Sequence, residues 1–128
     1  MKVNVLSASK VVAEIEASEV NVPGSQGYMG ILENHAPMIA EMGAGTLAVT
    51  GTQGTDRYYV SGGFVEVTDS DVRVLVDAIE SESDIDFVAA ASEKEQLEKE
   101  METTPDWDAK AKFQRQIAQL EAKLNLKQ

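Results

Sequence analysis

The apolar residues of this chain change their spacing once, near Ala78, so the chain must join two kinds of secondary structure. Up to that point they recur at every second residue. Val3 and Val5 alternate with polar neighbours, as do Val11, Ala13, Ile15 and Ala17, then Val20 and Val22. The rhythm returns in Leu47 and Val49, Tyr58 and Val60, Val65 and Val67, and Val72, Val74 and Val76. Each run marks one face of a short strand. Between the runs lie PGSQG, GTQGTD, SGG and TDSD, which supply the glycine, proline and Asx residues that tight reversals need. Many short strands at close spacing predict a β-sandwich over residues 1–82.

Residues 83–128 read differently. From Asp84 to Met101 glycine and proline are absent and Ala, Glu, Lys, Gln and Leu dominate, as a helix prefers. Ser83 and Asp86 stand at capping-box spacing. The TTPD stretch then interrupts. Thr104 as N-cap, Pro105 at the first helical position, and Asp106 and Asp108 near the positive end of the dipole predict a second helix. Its apolar stripe is Phe113, Ile117, Leu120 and Leu124; that of the first helix is the thinner set Phe87, Ala90, Ala91, Leu97 and Met101, with Lys94 intruding. So short a break permits only an antiparallel hairpin. Acidic residues crowd the chain from Asp77 to Asp108, and Lys110, Lys112, Arg115, Lys123 and Lys127 follow. Folding back is therefore expected to lay the cations of the second helix beside the carboxylates of the first, in exposed pairs of about 0–1 kcal/mol each.

The balance of 22 acidic to 11 basic residues, a formal charge of -11, opposes binding to nucleic acid or an anionic membrane surface. A basic partner suits it better. With no cysteine and one histidine, thiol chemistry and a multi-histidine metal site within the chain are excluded. The N-terminal stretch lacks the continuous apolar run of a signal peptide, and no run is long enough to cross a bilayer, so a cytoplasmic chain is expected.

The stretch GSQGYMGILENHAP, from Gly24 to Pro37, admits three readings. As a phosphate loop it fails: its glycines match neither the dinucleotide nor the Walker spacing, and no Lys-Ser or Lys-Thr follows. As a catalytic loop it offers Glu33 and His35 as base and orienter but no nucleophile nearby, while Ser61 in VSGGF lacks the glycine that a nucleophile elbow places before the serine. As a turn it makes sense of its residues. Gly27 and Gly30 permit backbone angles closed to other residues and carry Tyr28 and Met29 near a tip, where they are exposed unless something covers them. Whether one of the two tucks under the sandwich stays open. Met38 and Met42 fit an adaptable contact surface.

These same residues resemble one family, the epsilon subunit of the F-type ATP synthase. PGSQGYMGILENHAP from Pro23 to Pro37 is similar to that family's glycine-spaced loop ending in His-Ala-Pro, and Gly45 falls where it keeps a glycine. SGGFVEV from Ser61 to Val67 is a second match, and VRVLVDAIE followed by IDFVAA a third. The resemblance implies a ten-stranded β-sandwich followed by a two-helix hairpin. It also implies a non-catalytic rotor subunit, without cofactor or metal, peripheral on the cytoplasmic face of the cell inner membrane. Its partners would be the gamma subunit, the ring of c subunits and, through the hairpin, the alpha and beta subunits. Carried over by motif, Gly27, Tyr28, Met29 and Gly30 would face the c-ring, and Ser7, His35, Ala36 and Pro37 would lie toward gamma.

Many members also bind ATP through Ile-Asp, two variable residues and Arg-Ala at the start of the first helix, with arginines of the second. Here Ile85 and Asp86 are followed by Ala89 where the arginine would be; Arg115 keeps one second-helix position and Gln119 takes the next. Losing two cations removes the charge-assisted hydrogen bonds that a triphosphate needs most. Weak or absent ATP binding is expected, against the alternative of a nucleotide-sensing hairpin. With only the second helix basic, weak inhibition of ATP hydrolysis is expected too.

Overall fold

A computed structural model describes residues 1–126; Lys127, counted above among the basic residues, lies outside the described residues. Nine strands are followed by two helices. They are β1 (Lys2–Ser7), β2 (Val11–Gly24), β3 (Gly27–Leu32), β4 (Met38–Met42), β5 (Gly45–Gly51), β6 (Gly54–Val60), β7 (Gly63–Val67), β8 (Asp71–Val76) and β9 (Ile79–Ser81). A 3₁₀ turn at Glu82–Asp84 leads to α1 (Phe87–Thr103) and α2 (Trp107–Asn125).

The sandwich is present with nine strands among the described residues rather than ten. The two short apolar runs between Val11 and Val22 belong to one 14-residue strand, β2. Its first half pairs with β1 and its second half with β3 on one side and β5 on the other. A register shift between Ala17 and Glu19 moves the buried phase from odd to even positions, as a bulge does. The sheet order is β1-β8-β7-β4-β2-β5-β6-β9, with β3 on β2 and β1 also on β2, so the sheet folds over and closes on itself. Val3, Val5, Val65, Val72 and Val74 from one part meet Val20, Val22, Leu47, Val49 and Val60 from the other in a single core. The period-two pattern thus names the core almost residue by residue, with Val11 the exception: a shift in the β1–β2 register at Val5/Leu6 turns it outward. Met42 is buried and Met38 packs on the same core, so neither forms the contact surface expected of them.

The helices start later than their caps suggest. Asp86, not Ser83, caps α1, its carboxylate accepting the Ala89 N–H at 3.0 Å. Asp106, not Thr104, caps α2, accepting the Asp108 N–H at 3.1 Å. In both places an aspartate wins over a hydroxyl, because it is as good a cap and adds a charge at the positive helix end. The helices form an antiparallel hairpin in which α1 fully buries only Ala90, and α2 only Ile117 and Leu120. The interhelical ion pair among the described residues runs opposite to expectation. Lys94 of α1 lies 3.5 Å from Glu121 of α2, and Lys123 reaches Glu80 of β9 at 2.6 Å instead of α1.

Contact between hairpin and sandwich centres on a small cluster of Tyr59, Ile85 and Leu126, flanked by Phe87 and Ala122. The Lys123 ammonium stands 5.2 Å from the Tyr59 ring centroid. Tyr59 is 4% exposed, yet among the described residues its hydroxyl has no hydrogen-bond partner. Burial raises its pKa above the ordinary value, Glu80 adds to the rise and Lys123 opposes it.

Removing the buried Leu126 side chain, which is 2% exposed, should cost docking about 2–5 kcal/mol. In Leu126→Ala, limited proteolysis of the hairpin should accelerate more than tenfold while the sandwich resists. Tyr59→Phe deletes an unsatisfied hydroxyl, whose burial costs about 1–3 kcal/mol, and should slow that cleavage or leave it unchanged. Because the folded pKa is raised, the Tyr59 contribution is full below the ordinary phenol range and lost as pH rises through the folded value. Alkaline release of the hairpin should therefore weaken in Tyr59→Phe. Faster cleavage in that variant would contradict the assignment.

Candidate functional site

The glycine-spaced stretch is a strand rather than a loop over most of its length. Gly24 pairs with Gly27, so the turn between β2 and β3 is Ser25-Gln26. Tyr28 and Met29 lie beside it in β3, opposite Pro23 and Val22, and not at the tip. Gly27 has φ 132°, a conformation that glycine adopts freely; Gly30 has none, and a Cβ there would find Glu19 Oε1 at an ordinary 3.6 Å. The expectation of a turn across Gly27–Gly30 is thus corrected. A two-residue reversal between strands completes the change of direction earlier, and the next glycines belong to the ladder.

The turn is strapped to β4. Ser25 N–H donates to the Glu41 carbonyl at 3.2 Å and Gly43 N–H to the Pro23 carbonyl at 2.8 Å. Met29 packs against the core, while Tyr28 is 59% exposed. Strand alternation decides between them, because Met29 shares the inward phase of Ile31. Tyr28 is nevertheless fixed, since its hydroxyl accepts the Thr46 N–H at 3.0 Å. Gly45 makes room for that ring: a Cβ there would stand 2.6 Å from the Tyr28 hydroxyl and 2.9 Å from Pro23 Cβ.

His35, Ala36 and Pro37 form the connection from β3 to β4, entered by a turn in which Asn34 has φ 66° and His35 N–H donates to the Leu32 carbonyl. His35 Nδ1 donates to the Ala36 carbonyl at 2.7 Å, and Glu33 accepts from the Met1 ammonium at 3.2 Å. Both members of the supposed acid-base pair are committed to other partners. Ser7 ends β1 beside Val76, whereas the His35 connection lies near Thr68–Val72, where β8 begins. The residues expected to face gamma therefore stand at opposite ends of the β1–β8 pair, about 20 Å apart by strand rise.

The residues of the ATP motif are also scattered. Ile85 is buried against Tyr59 and Leu126, and Asp86 caps α1. Ala89 is exposed, and Arg115 is exposed on α2, roughly 16 Å along the helix from Leu126. Gln119 lines a cavity of about 410 Å³ with Tyr59, Ser61, Glu80 and Lys123, where Lys123 is already paired with Glu80.

A further surface was not anticipated. On the outward side of the sheet, Val11 pairs with Leu6, Leu6 with Leu75, and Leu75 with Phe64, making one apolar row across β2, β1, β8 and β7. Val11, Leu75 and Phe64 are 56%, 41% and 52% exposed, and Ile39 on β4 is 73% exposed. The signal was present in the sequence as apolar residues at the polar phase of the strands: Phe64 beside Val65, and Leu75 between Val74 and Val76.

The family model for the ATP synthase delta/epsilon chain β-sandwich domain matches residues 1–82. The ATP synthase epsilon chain of Syntrophomonas wolfei is 36% identical over 123 residues, 92% of this chain and 90% of the relative. That of Leptospira interrogans is 38% identical over 113 residues, 88% of this chain and 86% of the relative. This chain belongs to the ATP synthase epsilon chain family. A chain in the cryo-EM structure of Euglena gracilis mitochondrial ATP synthase, comprising OSCP, F1 and c-ring, has the same fold with a TM-score of 0.87. It is 20% identical, and the match covers 98% of this chain and 80% of that one. A chain of the Tetrahymena thermophila mitochondrial ATP synthase central stalk and c-ring gives a TM-score of 0.64 at 12% identity, covering 100% and 96%. As an epsilon chain the protein is a non-catalytic subunit with a rotor-coupling role in ATP synthase.

In this epsilon chain Gly45→Ala should destabilise the sandwich by about 1–3 kcal/mol through overpacking against Tyr28. Tyr28→Phe should cost about 0.5–1.5 kcal/mol for the lost hydrogen bond. The two should be less than additive when combined, because Phe withdraws the atom that alanine meets. Urea denaturation of the single and double variants measures this; strict additivity would refute the close approach.

Proposed function

We propose that the epsilon chain transmits torque by laying the outward face of β1, β8, β7 and β4 on the gamma subunit, with the β2–β3 hairpin facing the c-ring. The observation that carries this reading is the apolar row of Val11, Leu6, Leu75 and Phe64, extended by Ile39, on an otherwise acidic chain. Exposed apolar area of that continuity marks an interaction surface. Ser7 at one end and His35, Ala36 and Pro37 at the other frame it, so a gamma contact using both ends runs the length of the sheet. The ring contact falls to Gly27, Tyr28, Met29 and Gly30 together with the Ser25-Gln26 tip. Among the described residues no helix is long and apolar enough to cross a membrane. Attachment to the cytoplasmic face of the inner membrane would come through these partners.

Phe64→Glu with Leu75→Glu should weaken co-purification with tagged gamma at least tenfold, about 1.4 kcal/mol, without changing the circular dichroism spectrum. Val88→Glu, on a still more exposed apolar residue of α1, should leave it intact. Undiminished binding of the double variant would refute the docking face.

The hairpin is proposed to rest docked on the sandwich, to reach the alpha and beta subunits only when released, and to inhibit hydrolysis weakly. ATP is not its switch in this reading. Ile85 and Asp86 have structural tasks, Ala89 and Gln119 bring no charge, and Lys123 is neutralised by Glu80. Isothermal titration with ATP should give no saturable heat in the micromolar range; micromolar affinity would restore the nucleotide-sensing alternative.

A further inference from the structure

Strand β3 is an unprotected sheet edge. Its six residues, Gly27–Leu32, pair with β2 and with no other strand among those described. Protein sheets ordinarily guard such edges with charged side chains, proline, bulges or short length. The sequence GYMGIL has no charge and no proline, and its register with β2 is unbroken over six pairs. The opposite edge, β9, is guarded: it is three residues long and carries Glu80 bound to Lys123.

The hydrogen-bonding phase of the free side follows from Pro23. It stands opposite Tyr28, has no N–H, and its carbonyl accepts from Gly43, away from β3. The Pro23/Tyr28 pair is therefore a non-hydrogen-bonded position of the antiparallel ladder, and by alternation so are Asn21/Gly30 and Glu19/Leu32. The N–H groups of Tyr28, Gly30 and Leu32 and the carbonyls of Tyr28 and Gly30 then point off the open edge. The Leu32 carbonyl is taken by His35. Between β3 and β4 a groove of about 260 Å³, lined in part by Tyr28, Met29, Ala40 and Glu41, leaves the first half of this edge accessible.

Two carboxylates rim it. Glu19 lies over Gly30 and Glu41 stands in the groove, while Glu33, after Leu32, is already paired with the Met1 ammonium. A second copy of a chain with net charge -11 would bring the same carboxylates against themselves. A basic strand would not.

We propose that β3 accepts an extended, lysine- or arginine-bearing segment of another ATP synthase subunit as an added strand, bonded to the outward amides of Tyr28, Gly30 and Leu32. Backbone pairing supplies the affinity in this mode, and the exposed side chains of Tyr28 and Leu32 supply selectivity. The proposal rests on the reading that this end of the sandwich contacts the rest of the rotor, and it names the chemistry of that contact.

The test compares amide hydrogen exchange of the free chain with that of the chain in assembled ATP synthase, read residue by residue by fragment mass spectrometry. Exchange at Tyr28, Gly30 and Leu32 should slow at least tenfold on assembly. Gly30→Pro removes one outward N–H at a position where β2 receives no bond, which an edge strand tolerates. It should weaken assembly at least tenfold, whereas Gly30→Ala, which keeps the N–H, should stay within about threefold; both effects concern association and not the circular dichroism of the free chain. Unchanged exchange at the three amides in the assembled enzyme would overturn strand addition, even with Gly30→Pro misfolded, and would leave rotor docking standing. Concentration-dependent protection in the purified chain alone would assign the edge to a second copy and overturn the basic occupant. Failure of the unmodified chain to assemble would remove the docking reading and this proposal together.

Discussion

The slip of phase in β2 between Ala17 and Glu19 is the constraint on which the sandwich depends. A strand of 14 residues cannot keep one face buried while passing from one layer to the other unless its side-chain alternation resets on the way. Below the slip Ala13, Ile15 and Ala17 face inward; above it Val20 and Val22 do. One uninterrupted segment thereby serves β1, β3 and β5 and closes the sheet on itself. A body closed in this way has few modes of bending, which suits a part that must pass torque from one neighbour to another.

Stiffness is not uniform. The sandwich buries eleven side chains almost completely, whereas the hairpin touches it through Tyr59, Ile85 and Leu126 and an ion pair from Lys123. That ion pair is partly solvated and contributes little by itself, and the buried Tyr59 hydroxyl, without a partner among the described residues, subtracts from the rest. Local opening follows the weakest set of contacts. The hairpin is therefore the element that leaves first, and it can do so without disturbing the sandwich surfaces proposed above for docking.

Most of the fold was legible because its signal is periodic. The alternating valines named the core, and the switch near Ala78 separated strands from helices. What escaped were features that depend on where a strand is continuous and which side chain wins a cap. Two apolar runs look like two strands when a bulge divides them, and Ser83 and Thr104 look like caps until an aspartate two or three residues on takes the helix end. The tip residues were misplaced for a related reason. Glycine at 27 and 30 suggests a wide loop, while the actual reversal needs only Ser25 and Gln26. Charge misled most: complementary totals on the two helices did not become complementary pairs, because Lys123 finds Glu80 of β9 and Lys94 faces Glu121 from the acidic helix. Totals carry no geometry.

The fragmentary ATP motif has a physical explanation in the same terms. Ile85 seals the cluster beneath the start of α1, and the Asp86 carboxylate holds the Ala89 N–H, one of the free donors in the first turn of that helix. Either residue would be costly to lose whether or not a nucleotide ever binds, since removing a cap or opening a buried site costs on the order of 1 kcal/mol or more. The Ala89 and Gln119 side chains are exposed and seal no buried cluster among the described residues, so at those positions only a ligand would demand a cation. The half of the motif that remains is the half the hairpin needs for its own folding. Ile85 and Asp86 are thus accounted for by docking and capping in this chain, and the proposal of weak ATP binding rests on Ala89 and Gln119.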